Sequence, residues 1–159
     1  MAETAATGSE RSVGSSGAAD GPVETALVSV AGRTIAYAEY GDPAGRPVVL
    51  LHGTPGSRRL GGLLASAAAE QEVRLLAVDR PGYGDSDAWP ERSIRDSGRI
   101  VAGVIDDADI EQASVVGFSG GGPHALAVAA TRPDRVRCVD VISGATPPSV
   151  GPTPLAQRL

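Results

Sequence analysis

Short apolar runs bounded by turn residues alternate along the chain with segments of helical spacing. Residues Thr25 to Val30 and Arg33 to Tyr40 predict the two strands of a hairpin, which turns at Ala31-Gly32. Four further apolar runs predict strands buried in a sheet: Pro47 to Leu51, Val73 to Val78, Ala113 to Phe118 and Val136 to Ser143.

Three segments between these strands predict helices: Arg58 to Gln71, Ser93 to Ala108 and Gly121 to Thr131. The expected apolar stripe of the first is Leu60, Leu63, Leu64, Ala67 and Ala68, and that of the second is Ile94, Val101, Val104, Ile105 and Ala108. Ser93 and Asp96 fit a capping box, whereas Gly98 and Gly103 are expected to weaken the second helix. Pro123 suits the first turn of the third.

Strands that alternate with helices indicate an α/β fold, a mostly parallel sheet with helices on both faces, here preceded by an antiparallel hairpin. Residues 1–22 are rich in Ala, Gly, Ser and Thr and bury too little apolar surface to offset their ordering entropy, which predicts a disordered tail. Residues 23–159 are expected to form one α/β domain. Its last prolines (Pro147, Pro148, Pro152 and Pro154) are typical of a loop.

Composition narrows the classes of partner. The net charge is −5 and all 14 cationic side chains are arginine, which we interpret as a compositional bias, and no basic stripe suits nucleic acid. The chain shows neither a secretory signal nor an apolar run of membrane-spanning length, so we expect a soluble cytoplasmic protein without a membrane partner. The single cysteine, Cys138, is expected to be a small buried strand residue, and no metal or cofactor is predicted.

The strongest chemical signal is the pentapeptide from Gly117 to Gly121, which has the pattern G-x-S-x-G between a predicted strand and a predicted helix. This context is that of a nucleophile elbow, in which a sharp turn holds Ser119 in a strained conformation above the sheet. Glycine is expected at both ends because a Cβ there would clash with the neighbouring strand or helix. The alternative is a Gly-rich turn that binds phosphate or nothing.

A second turn, from His52 to Ser57, directly follows the buried strand that ends at Leu51. An acyl-transfer site needs two N–H donors for the developing oxyanion, one from the residue after the nucleophile and one from the loop after the third strand. Gly120 and Thr54 are therefore the predicted backbone donors, supported by Gly53. We expect His52 to brace this loop rather than to transfer protons.

A third turn, from Asp79 to Asp87, follows the strand that begins at Val73. Its acidic residues (Asp79, Asp85 and Asp87) are expected to anchor the turn through hydrogen bonds to the backbone rather than to do chemistry. For Tyr83 and Trp89, a place at the pocket entrance and a packing role both remain open.

The segments HGTPGSR, DRPGYGDSD and GFSGGGPHAL together resemble the α/β-hydrolase fold superfamily over about residues 25 to 146. The resemblance implies a sheet of order 1-2-4-3-5-6-7-8, with a catalytic acid after strand seven and a histidine after strand eight. Dehalogenases and epoxide hydrolases of this fold resemble the pattern but carry aspartate where this chain has Ser119. Six strands are predicted here, so the resemblance implies the N-terminal half of such an enzyme, without its acid and histidine.

The remaining candidates near Ser119 do not complete a triad. His124 lies five residues further along the following helix and is expected to pack under the site, while Asp134 and Asp140 are expected to be structural. We therefore expect a serine hydrolase of small-molecule esters, thioesters or amides that is inactive as this chain alone. Alternatives are a non-catalytic binding protein of the same fold, a cofactor-free perhydrolase and assembly with a second chain. An uncovered last strand predicts marginal stability or self-association.

Overall fold

A computed structural model describes residues 24–144, and both the tail predicted at 1–22 and the prolines predicted as loop lie outside these residues. All six predicted strands are present, with bounds within one residue of those expected. They are β1 (Thr25–Val30), β2 (Arg33–Gly41), β3 (Arg46–Leu51), β4 (Val73–Val78), β5 (Ala113–Phe118) and β6 (Val136–Ile142).

The strands form one sheet in the order β1-β2-β4-β3-β5-β6. β2 is antiparallel to both β1 and β4, whereas β3 is parallel to β4 and β5, and β5 is parallel to β6. The hairpin turns at Ala31 and Gly32, which both have positive φ (52° and 76°), as a tight turn between twisted strands requires. The predicted fold class, a mostly parallel α/β sheet, is confirmed.

Three α-helices connect the strands: α1 (Ala65–Glu70), α2 (Ser97–Asp107) and α3 (Gly122–Thr131). Each continues a 3-10 helix, at Arg58–Leu64, Ile94–Asp96 and Ser119–Gly121 respectively, and a fourth 3-10 turn at Pro133–Arg135 leads into β6. No helix within residues 24–144 is long and apolar enough to cross a membrane.

The apolar stripe predicted for residues 58 to 71 is wrong at Leu63, Leu64 and Ala67, which are exposed. The first half of this segment is a 3-10 helix with three residues per turn, so α-helical spacing does not apply there, and Leu63 is 83% exposed. Gly61 lies against Tyr40 so closely that a Cβ would be 2.5 Å from the tyrosine ring. This contact holds the segment against the sheet and leaves Leu63 facing outward.

The second helix has the predicted capping box, since the Asp96 carboxylate accepts a 2.8 Å hydrogen bond from the Ser93 N–H. Ile94 lies in the 3-10 turn before α2 and is exposed, contrary to expectation. Gly98 and Gly103 both permit close packing of α2. A Cβ at Gly98 would overlap the Thr131 hydroxyl on α3, and one at Gly103 would lie 2.6 Å from a Val30 methyl.

Apolar side chains alternate between two cores, one on each face of the sheet. One core joins strand residues such as Val49 and Leu76 to α2 and α3, and the other joins Leu50 and Leu75 to Ala68 of α1. Helices therefore cover both faces, as predicted, and the carboxyl ends of the parallel strands β3, β4 and β5 are left to carry the turns.

Strand β6 ends the sheet formed by the described residues, and its outer edge pairs with no strand there. Val141 and Ile142 are exposed, together with Phe118 on β5 and Leu126 on α3. The prediction that Cys138 is buried is wrong because no described residue covers this part of β6, and its thiol donates to the Ser114 hydroxyl at 3.1 Å.

Candidate functional site

Ser119 lies at the junction between β5 and α3 with φ of +50°, in the left-handed region. A residue with a Cβ is strained in this region, and such strain persists only where the surrounding structure imposes it. The 3-10 turn Ser119–Gly121 then leads directly into α3. The serine thus lies at the carboxyl end of a parallel strand and before a helix N-terminus, which favours negative charge.

The glycines on either side of Ser119 lack space for a side chain. A Cβ on Gly117 would lie 2.6 Å from the Gly121 carbonyl oxygen and 2.7 Å from the Gly122 Cα. One on Gly121 would overlap the Leu51 carbonyl oxygen at the end of β3. Real Cβ atoms do not approach so closely, so the sharp turn around Ser119 requires both glycines.

The turn after β3 lies directly against this elbow. A Cβ built on Gly53 would be 3.2 Å from the Ser119 Cβ, and one built on Gly120 would be 2.9 Å from the Thr54 Oγ1 and 3.4 Å from the Thr54 nitrogen. The structure thus brings together the residues selected from the sequence: a serine hydroxyl, with the backbones of Thr54 and Gly120 side by side next to it. The backbones of Thr54 and Gly120 are therefore the candidates for the two donors that an oxyanion needs.

His52 is buried beneath the site with both ring nitrogens in hydrogen bonds. Nδ1 donates to the Gly53 carbonyl oxygen at 2.7 Å, and Nε2 accepts from the Arg80 N–H at 3.2 Å. This pair of contacts requires the neutral tautomer with the proton on Nδ1, and burial lowers the pKa of His52, which favours that neutral form. His52 therefore braces the second turn against the third.

His124 faces α2 and forms a 2.7 Å hydrogen bond through Nδ1 with the hydroxyl of Ser97. Burial, and then the nearby charges of Arg80 and Arg92, lowers the pKa of His124 to about 4. Its ring is neutral at pH 7 and joins α3 to the start of α2.

Two of the three acidic residues of the third turn, Asp79 and Asp87, hold the backbone as predicted, whereas the Asp85 carboxylate pairs with the Arg58 guanidinium instead. Asp79 is fully buried and accepts hydrogen bonds from the Arg58 N–H at 2.6 Å and the Asp85 N–H at 3.0 Å, and from the Arg58 guanidinium. Asp87 accepts from the Thr34 N–H at 2.7 Å. No described histidine forms a hydrogen bond with these carboxylates.

Arg80 is a site residue that sequence reasoning missed. Its Nη2 donates to the Gly53 carbonyl at 2.9 Å and to the Thr54 hydroxyl at 2.7 Å, so it fixes the turn that carries the Thr54 N–H. Its guanidinium carbon lies 4.7 Å from the centre of the Tyr83 ring, and the Tyr83 hydroxyl is 3.4 Å from the Thr54 Oγ1. The signal in the sequence was its place directly after Asp79, at the carboxyl end of a buried strand.

The two aromatic residues left open in the sequence lie in different places. Tyr83 contacts the site, with its ring edge-to-face on His52 at 5.0 Å between ring centres. Trp89 packs against the apolar core, with the Arg33 guanidinium 5.7 Å from its ring centre. A packing role therefore describes Trp89. Among residues 24–144, no cluster of His, Cys, Asp and Glu suits a metal ion.

The alpha/beta hydrolase fold family matches residues 46–158, more than two thirds of the chain. The chain belongs to this family. A 2-hydroxy-6-oxononadienedioate/2-hydroxy-6-oxononatrienedioate hydrolase of Cupriavidus pinatubonensis is 37% identical over 62% of this chain and 36% of its own length. Epoxide hydrolase B of Mycobacterium tuberculosis is 37% identical over 67% of this chain and 30% of its own.

A third relative of this α/β-hydrolase chain is the dihydrolipoyllysine-residue acetyltransferase component of the acetoin cleaving system of Pseudomonas putida, 35% identical over 73% of this chain and 31% of its own. The chain thus spans about a third of the length of the curated relatives it matches. These similarities establish a hydrolase family for the matched part.

Solved structures have the same fold. A CIB-like hydrolase of Thermoplasma acidophilum superposes with a TM-score of 0.69 at 17% identity, covering 81% of this chain and 66% of that one. An epoxide hydrolase mutant of Vigna radiata superposes with a TM-score of 0.63 at 27% identity, covering 75% and 38%. The thioesterase domain of the curacin biosynthetic pathway superposes with a TM-score of 0.70 at 22% identity, covering 87% of this chain and 52% of that one.

Proposed function

We propose that this protein is a serine hydrolase that cleaves small-molecule esters, thioesters or amides through an acyl-enzyme at Ser119. One observation carries the proposal. Ser119 is held in the left-handed conformation at the end of β5, between glycines that cannot bear a Cβ, with the backbones of Thr54 and Gly120 beside it. A strained, glycine-flanked serine next to two candidate oxyanion donors suits acyl transfer.

In this mechanism the Ser119 Oγ attacks the substrate carbonyl carbon while its proton passes to a base. The carbonyl oxygen becomes an oxyanion, which accepts hydrogen bonds from the Thr54 and Gly120 N–H groups. The base then returns the proton to the departing alcohol, thiol or amine as the bond to it breaks. Water repeats the sequence on the acyl-enzyme and releases the acid with Ser119 restored.

The base and its orienting acid are proposed to come from outside the described residues. His52 uses both ring nitrogens within the turns, and His124 bonds to Ser97 on another helix. Both histidines of the sequence are thus engaged away from Ser119. Without a base the serine hydroxyl is a poor nucleophile, so we expect residues 1–159 alone to be inactive.

The relatives support hydrolysis and differ in the bond that their names specify. Epoxide hydrolase B is named for an epoxide, whereas this chain carries Ser119 at the position for which the fold resemblance implies aspartate in epoxide hydrolases. When a serine attacks a carbonyl group it forms an ester, which water hydrolyses readily. A serine at this position therefore favours a carbonyl substrate. The oxononadienedioate hydrolase supports hydrolysis of a small molecule.

The test is labelling with a fluorophosphonate probe, which reacts with activated serines. We expect no labelling of the 159-residue chain and strong labelling of a longer form that carries the acid and histidine. Ser119→Ala should abolish that labelling, and Ser143→Ala should leave it intact. Ser143 is a matched control because it also has φ of +50° but follows β6 instead of leading into a helix. Labelling that survives Ser119→Ala would overturn the proposal.

A second candidate, a non-catalytic binding protein, is favoured by the engagement of both histidines away from Ser119. On this candidate, Ser119 stays unreactive towards the probe in a longer form of the protein and also in the presence of a second chain. A second polypeptide that restores labelling of the 159-residue chain would instead support assembly from two chains. A cofactor-free perhydrolase would use the same triad, and peroxide-dependent turnover by the labelled form would identify it.

A further inference from the structure

Two arginines near the site are buried to similar extents but are neutralised differently. Arg58 is 8% exposed and pairs with the carboxylates of Asp79 and Asp85. Arg80 is 6% exposed, and no carboxylate within residues 24–144 pairs with it. A buried cation without a counter-ion is costly, so the charge of Arg80 needs a source of compensation that Arg58 already has.

The Nε of Arg80 is buried without a hydrogen-bond partner among the described residues. The Nη2 of the same side chain, in contrast, donates to Gly53 and Thr54. Buried N–H groups nearly always have a partner, and an orphan on a cation is particularly unfavourable. The Arg80 side chain therefore carries a buried charged donor, Nε, that no described residue satisfies.

Arg80 lines a cavity between the third turn, α2 and α3. Its polar lining is Arg80, Arg92, Ser97 and His124, with apolar side chains such as Leu51 and Val101, and none of the residues that line it is acidic. The cavity volume of about 10 Å³ is close to what one water-sized group needs. The space thus suits a single atom or small group, and the two guanidiniums favour negative charge there.

We propose that this cavity binds one small monovalent anion, a halide or the carboxylate end of an organic acid, which accepts a hydrogen bond from the Arg80 Nε. The anion would neutralise the buried guanidinium and accept from the Ser97 hydroxyl or the His124 ring on the facing helices. Because Arg80 also positions Gly53 and Thr54, the anion would stabilise the turn beside Ser119. The inference does not rest on the proposed hydrolase function.

The first test is thermal unfolding of the 159-residue chain in sodium gluconate, replaced stepwise at constant ionic strength by chloride, formate or monomethyl succinate. Gluconate carries a hydroxyl group on the carbon next to its carboxylate, so its acid end is too bulky for the cavity, whereas monomethyl succinate has an unbranched CH2 there. We expect the midpoint to rise saturably, by about 4 °C at ten times the dissociation constant. If the midpoint rises with chloride alone, the bound anion is a free halide. If it rises with formate and monomethyl succinate but not with dimethyl succinate, which has no carboxylate, the anion is an organic carboxylate. A midpoint that is equal in every salt, or that rises without saturation or anion preference, overturns the proposal.

A second readout uses His124, which is one of only two histidines in the chain and is faced by Arg80, Arg92 and His52. A bound anion would raise the pKa of His124, measured by NMR titration in chloride or formate against gluconate. Arg80→Gln should abolish both responses, and Ser97→Val, which fills the cavity without touching Arg80, is the second variant if Arg80→Gln does not fold. Ser119→Ala should keep both responses, which separates this inference from the proposed function. Anion responses that persist in Arg80→Gln, or an unchanged pKa of His124, would contradict it.

Discussion

Arg58 and Asp79 form a buried pair that joins the turn after β3 to the turn after β4. The backbone N–H of Arg58 donates to one carboxylate oxygen of Asp79 at 2.6 Å, and its guanidinium donates to the other. The same guanidinium reaches Thr25 on β1 at 2.9 Å and Asp85 at 2.5 Å. One side chain thus connects three segments around the carboxyl ends of the strands.

Replacing Asp79 with asparagine should destabilise the protein strongly. Arg58 would lose its fully buried counter-ion, and breaking such a pair from one side costs about 3 to 5 kcal/mol. Urea unfolding measures the loss. Asp134→Asn is the matched control, because Asp134 pairs with Arg132 at the exposed surface and its loss should leave the unfolding midpoint unchanged. Similar losses in both variants would contradict the assigned role of the buried pair.

Gly121→Ala should also be destabilising, by about 1 to 3 kcal/mol, because its Cβ would overlap the Leu51 carbonyl and push β3 away from the start of α3. Gly62→Ala is the control, since its Cβ would lie 3.6 Å from the Tyr40 ring, an ordinary contact. Chemical unfolding should give a lower free energy of unfolding for Gly121→Ala than for Gly62→Ala. If Gly121→Ala were as stable as Gly62→Ala, the tight approach of the elbow to β3 would be wrong.

Stability should fall as the pH drops from 7 to 5. Burial holds the pKa of folded His124 at about 4, below the ordinary value of 6.5. Between these two pH values the unfolded chain binds a proton on His124 that the folded chain does not bind. The stabilisation is fully present above pH 6.5 and is lost as the pH falls towards 4. Solvent screening of the partly exposed ring reduces it, so we expect a loss of about 1 kcal/mol by pH 5. His52, whose pKa burial also lowers, acts in the same direction.

Unfolding free energies at pH 7, 6 and 5 test this prediction. His124→Gln removes the larger titration and should flatten the dependence, leaving the contribution of His52. An undiminished slope in His124→Gln would mean that other groups govern the pH dependence.

The 159-residue chain should self-associate through β6. The outer edge of β6 pairs with no strand within residues 24–144, and Ile142 and Leu126 expose apolar surface beside it. Ile142→Lys should shift the sedimentation profile towards monomer, because a charge at an edge disfavours pairing. Leu63→Lys, at an exposed leucine on the 3-10 helix before α1, is the control and should change nothing. A monomeric wild-type chain with a cooperative melt would refute the prediction.

Local patterns predicted the strands well and the segment after β3 poorly. The strand bounds follow from apolar runs closed by turn residues, which act over a few neighbours in sequence. The 3-10 helix at Arg58–Leu64 depends on the contact of Gly61 with Tyr40, which is 21 positions away, so no local spacing predicts that Leu63 faces outward. The exposure of Cys138 likewise depends on what lies beside β6.

The sequence by itself determined the strand-turn-helix setting of Ser119, the second and third turns and the alternation of elements, because glycine, proline and apolar spacing act locally. Only the tertiary structure decided which side chains those turns bring together. In the sequence Arg80 is one arginine among 14, whereas in the fold its guanidinium donates to Gly53 and Thr54 and its buried Nε has no partner among the described residues. Hydrogen bonds and charge burial depend on distances between segments remote in the chain, and the fold alone sets those distances.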